Sequence, residues 1–254
     1  MGVICVLPAR LSSTRIPRKP LQDIAGRPLV EWAWRTAGRV KVFDRVVVAT
    51  DSPEVGSVAR GFGAEVVMTR TGHRSGTDRV EEAAEKLGAG DGDVLVNFQA
   101  DEPFVDVATV TAAVQRAGGR ARGEADPPDV VTLAAPIRDR REWASPGVVK
   151  AVCAADGRAL YFSRAQVPHV RDGEPSFGGP DPRFLRHIGV YALTRPALRR
   201  WASLEESRLE AVERLEQLRA LEAGMRIHVE LGPPTEPGVD LPADLERAER
   251  VLTG

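Results

Sequence analysis

The sequence predicts an α/β fold around a mostly parallel sheet, on three observations. An apolar run from Val3 to Leu7 reads as a buried strand, helices and strands alternate from there to residue 99, and a second set of strands follows in a changed rhythm from residue 129. Pro28 suits the first turn of a helix whose Leu29, Trp32 and Ala33 share one face, and 45–50 is the next strand. Ser52 caps and Pro53 opens a helix with Val55, Val58, Ala59 and Phe62 at helical spacing; Gly63 ends it, and 65–69 is a short strand. Val80, Ala83, Ala84 and Leu87 form another apolar stripe, closed by Gly88, ahead of the strongest strand, 93–99. This βαβαβ alternation implies parallel strands with right-handed crossovers. In the second half, 129–136, 147–154, 159–163, 187–194 and 227–231 read as strands and 209–223 as one helix. Pro242 starts a C-terminal helix that aligns Leu245, Ala248 and Leu252. The Pro- and Gly-rich stretch 167–182 is long for a connection and reads as a lid or dimer arm.

The 254 residues suit one α/β domain over 1–254, with halves at about 1–128 and 129–254. A net charge of −1 offers no general basic field to nucleic acid or an anionic membrane, so neither is an expected partner. The two cysteines, Cys5 and Cys153, lie in apolar strand-like runs without metal-ligand spacing and read as core residues in a reducing compartment. With no signal peptide, no spanning apolar stretch and no myristoylation pattern, a cytoplasmic protein is expected.

Function is concentrated in PARLSSTRIPRKPL, residues 8–21, which follows the first strand directly. Ligands of open α/β sheets bind at the strands' carboxyl ends, and Arg10, Arg15, Arg18 and Lys19 supply forked guanidinium donors and an ammonium suited to a polyphosphate. The loop has neither the Walker pattern nor closely spaced dinucleotide glycines, so its cations must carry the neutralisation. A solvated basic loop is the alternative on this segment alone. Asp101, in Gln99-Ala100-Asp101-Glu102-Pro103, emerges at the same edge from the strongest strand and is placed to hold Mg²⁺, a hard cation that takes one or two carboxylates plus water and phosphate oxygens. Asp240, in Gly238-Val239-Asp240-Leu241-Pro242, is the expected second carboxylate. Taken singly, the two also read as turn and cap residues.

PARLSSTRIPRKPL together with VATD (48–51), HRSGTDR (73–79), NFQADEP (97–103), YFSRA (161–165), RHIGVY (186–191), LEQLR (215–219) and GVDLPADLE (238–246) resembles the 3-deoxy-manno-octulosonate cytidylyltransferases, the CMP-Kdo synthetases. The resemblance runs from the first strand to the last helix. It implies a Rossmann-like nucleotidyltransferase with a smaller sugar-binding and dimerisation lobe, a Mg²⁺-dependent homodimer that couples CTP to Kdo for lipopolysaccharide synthesis and releases pyrophosphate. Position by position it implies Arg10, Arg15 and Lys19 on the triphosphate, with Lys19, Arg10 and Asp101 catalytic. Ser75 and Arg79 would read the cytosine, and Asp101 and Asp240 would hold metal. Gln99, Arg164, His187, Tyr191, Glu216 and Gln217 would take the sugar, with Arg164 on its carboxylate. Without the resemblance, His187 and Tyr191 read as core residues and Glu216 as a solvated helix face.

Three positions depart from the family pattern: Arg18 and Ala100 stand where glycine is usual, and His169 follows Pro168 where tryptophan is usual. An arginine beside Lys19 either contacts phosphate or points to solvent, and Ala100 requires a backbone that avoids positive φ. The altered position after Pro168 leaves an amino-substituted Kdo as an alternative substrate, and a nucleotidyltransferase for a different sugar acid, such as a sialate, is the rival within the enzyme class. A catalytically silent nucleotide-binding regulator is the rival from another class, one that would not need Asp101 and Asp240 together.

Overall fold

Alternate residues of the first strand face opposite sides of the sheet: Cys5 and Leu7 pack into one apolar cluster, Ile4 and Val6 into another. The chain is described here as a computed structural model covering residues 2–13, 15–119, 127–179 and 182–253. In order it forms β1 (Val3–Pro8), β2 (Asp23–Ile24), β3 (Arg27–Pro28), α1 (Leu29–Gly38), β4 (Arg45–Thr50), α2 (Pro53–Gly61), β5 (Glu65–Met68) and α3 (Gly76–Lys86). There follow β6 (Val94–Phe98), α4 (Val107–Ala117), β7 (Val130–Pro136), α5 (Arg140–Ala144), β8 (Lys150–Cys153), β9 (Ala159–Ser163) and β10 (Leu185–Thr194). Last come α6 (Arg195–Ala202), α7 (Arg208–Glu213), α8 (Gln217–Glu222), β11 (Ile227–Leu231) and α9 (Pro242–Thr253).

The principal sheet runs β11-β7-β10-β6-β1-β4-β5, with the β8–β9 hairpin attached to β10. β1 pairs in parallel with β4 and β6, β4 with β5, and β11 with β7; β10 is antiparallel to both its neighbours. Six of the seven strands on that path therefore point one way, which is the mostly parallel α/β sheet the sequence predicts. Val30 and Ala33 of α1, Val55 and Ala59 of α2, and Val110 and Ala113 of α4 cover one face. Val80 and Ala83 of α3, Leu198 and Trp201 of α6, and Leu218 of α8 cover the other. With both faces covered, the central strand Val94–Phe98 is buried throughout, and its continuous apolar run follows from that. No helix among the described residues is long and apolar enough to cross a membrane.

Helix starts follow the capping chemistry. Ser52 accepts from Val55 N, Ser75 from Asp78 N, Asp106 from Thr109 N and Asp139 from Glu142 N, while Ser207 and Glu210 form a capping box. Several expectations need correction. The helix predicted over 209–223 is two, α7 and α8, because Arg214 adopts φ 54° and breaks the ladder. The strand predicted from 147 begins at Lys150, since Val148 N bonds Ser145 O in a turn. Helix α2 stops at Gly61, with Gly63 at φ 91° two residues beyond. Pro28 is the residue before α1 rather than part of its first turn, and it ends a β2–β3 hairpin whose turn residues Ala25 and Gly26 both have positive φ. The loop at 167–182 carries no regular structure in its described part; residues 180 and 181, like Thr14 of the basic loop, lie outside the described residues.

The glycine departures resolve differently. Ala100 avoids positive φ, but Arg18 sits at φ 54° with its guanidinium paired to Glu54. A left-handed backbone costs a side-chain-bearing residue about 1–2 kcal/mol, more than an exposed ion pair returns. Arg18→Gly is expected to raise the melting temperature by about 2–4 °C in a thermal scan, and a lowered value would contradict this reading.

Candidate active site

The carboxyl ends of β1, β4 and β6 open on one edge of the sheet, and the basic loop crosses it. Beyond β1, a 3₁₀ turn at Lys19–Leu21 turns the Lys19 side chain inward, 14% exposed, while Arg10 stays exposed with no hydrogen bond or ion pair among the described residues. The Lys19 Nζ lies 2.5 Å from Asp101 Oδ2, just past β6, and 2.8 Å from Asp240 Oδ1, just before α9. Arg15 Nη2 reaches the same Asp240 oxygen at 3.5 Å. Burial alone would lower the Lys19 ammonium, but the two carboxylates outweigh it and hold it above its ordinary value. Burial likewise pushes Asp240 upward, and the Lys19 and Arg15 cations bring it below the usual carboxylate range. Lys19 and Asp240 are thus both charged at neutral pH.

Because β10 runs against its neighbours, its first half lands at this same edge. Gln99 N donates to Gly189 O, and a Cβ on residue 189 would lie 2.1 Å from the Gln99 Oε1, so the Gln99 side chain lies against a backbone that only glycine leaves clear. Glu102 Oε1 accepts from Gly189 N at 2.9 Å; burial, with Asp101 adding, pushes its carboxyl up to about 7. His187 Nε2 meets Thr132 Oγ1 at 2.9 Å between the rings of Phe162 and Tyr191. Burial, then the Arg186 cation, pulls the imidazole down to about 3, leaving it neutral. Tyr191 donates from its hydroxyl to Gln217 Oε1 at 3.3 Å.

The break at Arg214 aims the start of α8 back at the sheet. Glu216 Oε2 accepts from Thr77 N at 3.4 Å and also bonds the Ser75 side chain, so it ties α8 to the first turn of α3. Burial raises its carboxyl. Three buried atoms around this junction, Glu216 Oε1, Gln217 Nε2 and Asn97 Oδ1, have no partner among the described residues. A buried unpaired polar atom is costly, and a hydroxyl-rich ligand would satisfy such atoms. Arg79 is committed elsewhere: it is 3% exposed, pairs with Asp51 at 3.1 Å and donates to Thr69 Oγ1.

Arg164 follows β9. Its Nε donates to Glu213 O at 2.9 Å and its Nη1 to Pro146 O at 3.0 Å, while Glu213 Oε2 takes its backbone N–H. Burial and the Arg15 cation pull its pKa down, and Asp240 and Glu213 push it back; Arg164 thus shares an electrostatic neighbourhood with the cationic loop. Three groups that sequence reasoning passed over support this site. Glu213 stands just ahead of the LEQLR motif, Asp51 closes the VATD motif, and Lys150 lies inside an apolar run, with nothing local to mark its ammonium as important.

Two carboxylates meeting on one cation fit a hard divalent ion that keeps waters and phosphate oxygens in its remaining positions. Asp101 and Asp240 are the two carboxylates here, and both pair with the Lys19 ammonium. Among the described residues no three His, Cys, Asp or Glu side chains gather into an all-protein cage.

Comparison with known proteins places this arrangement among the cytidylyltransferases, whose family pattern matches residues 4–227. The chain is 43% identical to the 3-deoxy-manno-octulosonate cytidylyltransferase of Chlorobium luteolum, over 99% of this chain and 98% of that protein. It is 46% identical to that of a Bradyrhizobium species, over 99% and 97%. A solved structure of CMP:2-keto-3-deoxy-manno-octonic acid synthetase complexed with CTP superposes with a TM-score of 0.85 at 37% identity, covering 99% of this chain and 98% of that one. 4-Diphosphocytidyl-2C-methyl-D-erythritol synthase, at 15% identity and a TM-score of 0.63, shares the fold. The chain belongs to the 3-deoxy-manno-octulosonate cytidylyltransferase family.

Proposed function

We propose that this protein couples CTP to Kdo, forming CMP-Kdo and pyrophosphate for lipopolysaccharide synthesis. The observation that carries the reading is the meeting of Lys19 with Asp101 and Asp240 at the carboxyl edge, with Arg15 and Arg164 alongside. The triphosphate lies along Arg10, Arg15 and Lys19, and charge developing on the leaving pyrophosphate is met by the Lys19 ammonium. Asp101 and Asp240 would hold Mg²⁺, which would supply polarisation of the α-phosphate. The Ser75 loop reads the cytosine; Arg79, held by Asp51 and Thr69, fixes that loop against β4. Kdo lies between Gln99, His187, Tyr191, Glu216 and Gln217, its hydroxyls satisfying the unpartnered Glu216 and Gln217 atoms. A neutral His187 both accepts and donates without adding charge near the phosphates. The working form is a cytoplasmic homodimer.

Arg164 pairs with the sugar's carboxylate, since its fork keeps its charge when partly buried. Arg164→Lys is expected to raise the KM for Kdo with CTP binding unchanged, and Arg164→Ala to raise it further, by roughly 10²-fold or more. Equal loss of CTP affinity would move this arginine to the nucleotide. Pyrophosphate release measured across the four nucleoside triphosphates, with Kdo, its amino-substituted analogue and a sialate, tests the substrates. CTP with Kdo should give the highest kcat/KM; a higher value with another acid would replace Kdo.

A further inference from the structure

Among the described residues Lys150 is the most deeply buried cation of the chain's second half, 0% exposed, and it forms no salt bridge there. It opens β8, between Arg186 of β10 and Ser163 of β9 in register. Its Nζ donates to three backbone carbonyls, Ser145 O at 2.9 Å, Val148 O at 2.7 Å and Arg164 O at 2.7 Å. An ammonium has three N–H donors, so every one is used. Two of the acceptors flank Pro146, whose carbonyl takes the Arg164 Nη1. The 145–148 turn and residue 164 are therefore joined twice, once through the Lys150 ammonium to the Arg164 main chain and once through the Arg164 guanidinium itself.

We propose that Lys150 is a positioning residue for sugar-acid binding: its ammonium holds the 145–148 turn against the Arg164 backbone and so presets the direction in which the Arg164 fork faces the substrate carboxylate. The proposal rests on the reading of Arg164 as the carboxylate partner. Arginine binds a carboxylate well only when its planar fork is pre-aimed, and freeing the main chain beneath it restores the side-chain and backbone freedom that binding must then remove.

The ammonium also gives the contact a pH dependence. Burial, then the Arg164 cation, lowers Lys150 to about 8, against the opposing pull of Glu213. The charged groups facing it are Arg164 at the end of β9, Glu213 at the end of α7, and Arg186 across β10, whose guanidinium is turned to Glu142 and Thr235. Loss of the proton leaves two N–H donors for three carbonyls. A folded pKa below the ordinary lysine value means that the unfolded chain binds more protons over this range. Stability therefore rises with pH between about 8 and the ordinary lysine value on account of this group, so loss of its proton does not by itself unfold the chain.

Steady-state kinetics of Lys150→Met, Arg164→Ala and the double variant test the proposal, with circular dichroism to check folding. Lys150→Met should raise the KM for Kdo about tenfold and leave that for CTP unchanged, and the double variant should be no worse than Arg164→Ala alone. An unchanged KM for Kdo in folded Lys150→Met, or penalties that multiply in the double variant, overturns it. If Lys150→Met does not fold, the unaltered protein decides. Its KM for Kdo should climb through about pH 8, with the climb abolished in Arg164→Ala, and a flat profile overturns the proposal. Unchanged Kdo kinetics in Arg164→Ala would instead sink the assignment of Arg164 and this proposal with it.

Discussion

Replacing Asp101 with asparagine is expected to leave the fold intact and lower turnover by roughly 10²–10³-fold, the loss typical of removing one electrostatic stabiliser from an active site. Asp101 follows the strongest strand and anchors Lys19 at 2.5 Å, so the substitution removes half of the clamp on the ammonium and, on the proposed reading, a metal donor. An amide of the same shape keeps the packing but offers a neutral oxygen to a hard cation. Mn²⁺ titrated calorimetrically in the presence of CTP should bind more weakly to Asp101→Asn by a comparable factor. Near-normal turnover, or undiminished Mn²⁺ affinity, would remove Asp101 from the metal site.

Lys19→Met should lower kcat by roughly 10²-fold or more, with a smaller change in the KM for CTP, because negative charge on the pyrophosphate grows as the bond breaks. The same change should show in the acid limb of the pH profile. Burial pushes Asp240 up and Lys19 holds it down, so without the ammonium Asp240 should protonate at higher pH. The signs agree with linkage. The Asp240 contribution to stability, with its depressed folded pKa, is present above the ordinary carboxylate value and is lost as the pH falls through the folded one. The contribution of Lys19, with its raised pKa, is present below the ordinary lysine value and is lost as the pH rises through the folded one. A variant with unchanged kcat and a raised KM would make Lys19 a binding cation only.

The first half of the fold was legible because its signals are local. Apolar runs at Val3 to Leu7 and around Val94 to Phe98, the capping serine at 52, and stripes such as Val80, Ala83 and Ala84 each specify an element without reference to the rest. Placing Arg15, Lys19 and Asp101 at one edge followed from the rule that parallel strands end together. The antiparallel insertion of β10 between β6 and β7 has no such local mark, since strand order is decided by tertiary packing, yet it carries His187 and Tyr191 to the site. The break at Arg214 was hidden for a related reason: a left-handed arginine is locally disfavoured, and the contacts that accompany the break, such as Glu216 with α3 and Gln217 with Tyr191, are tertiary. Lys150 was read as part of a strand because burial of an ammonium among carbonyls is a three-dimensional arrangement of main-chain groups, with no spacing that announces it.

The most direct measurement is a ³¹P NMR time course of the protein with CTP, Kdo and Mg²⁺. The account predicts a phosphodiester resonance of CMP-Kdo and pyrophosphate growing in equal amounts, both absent when Kdo or Mg²⁺ is omitted. CMP and pyrophosphate accumulating without the phosphodiester, or no consumption of CTP at all, would contradict it.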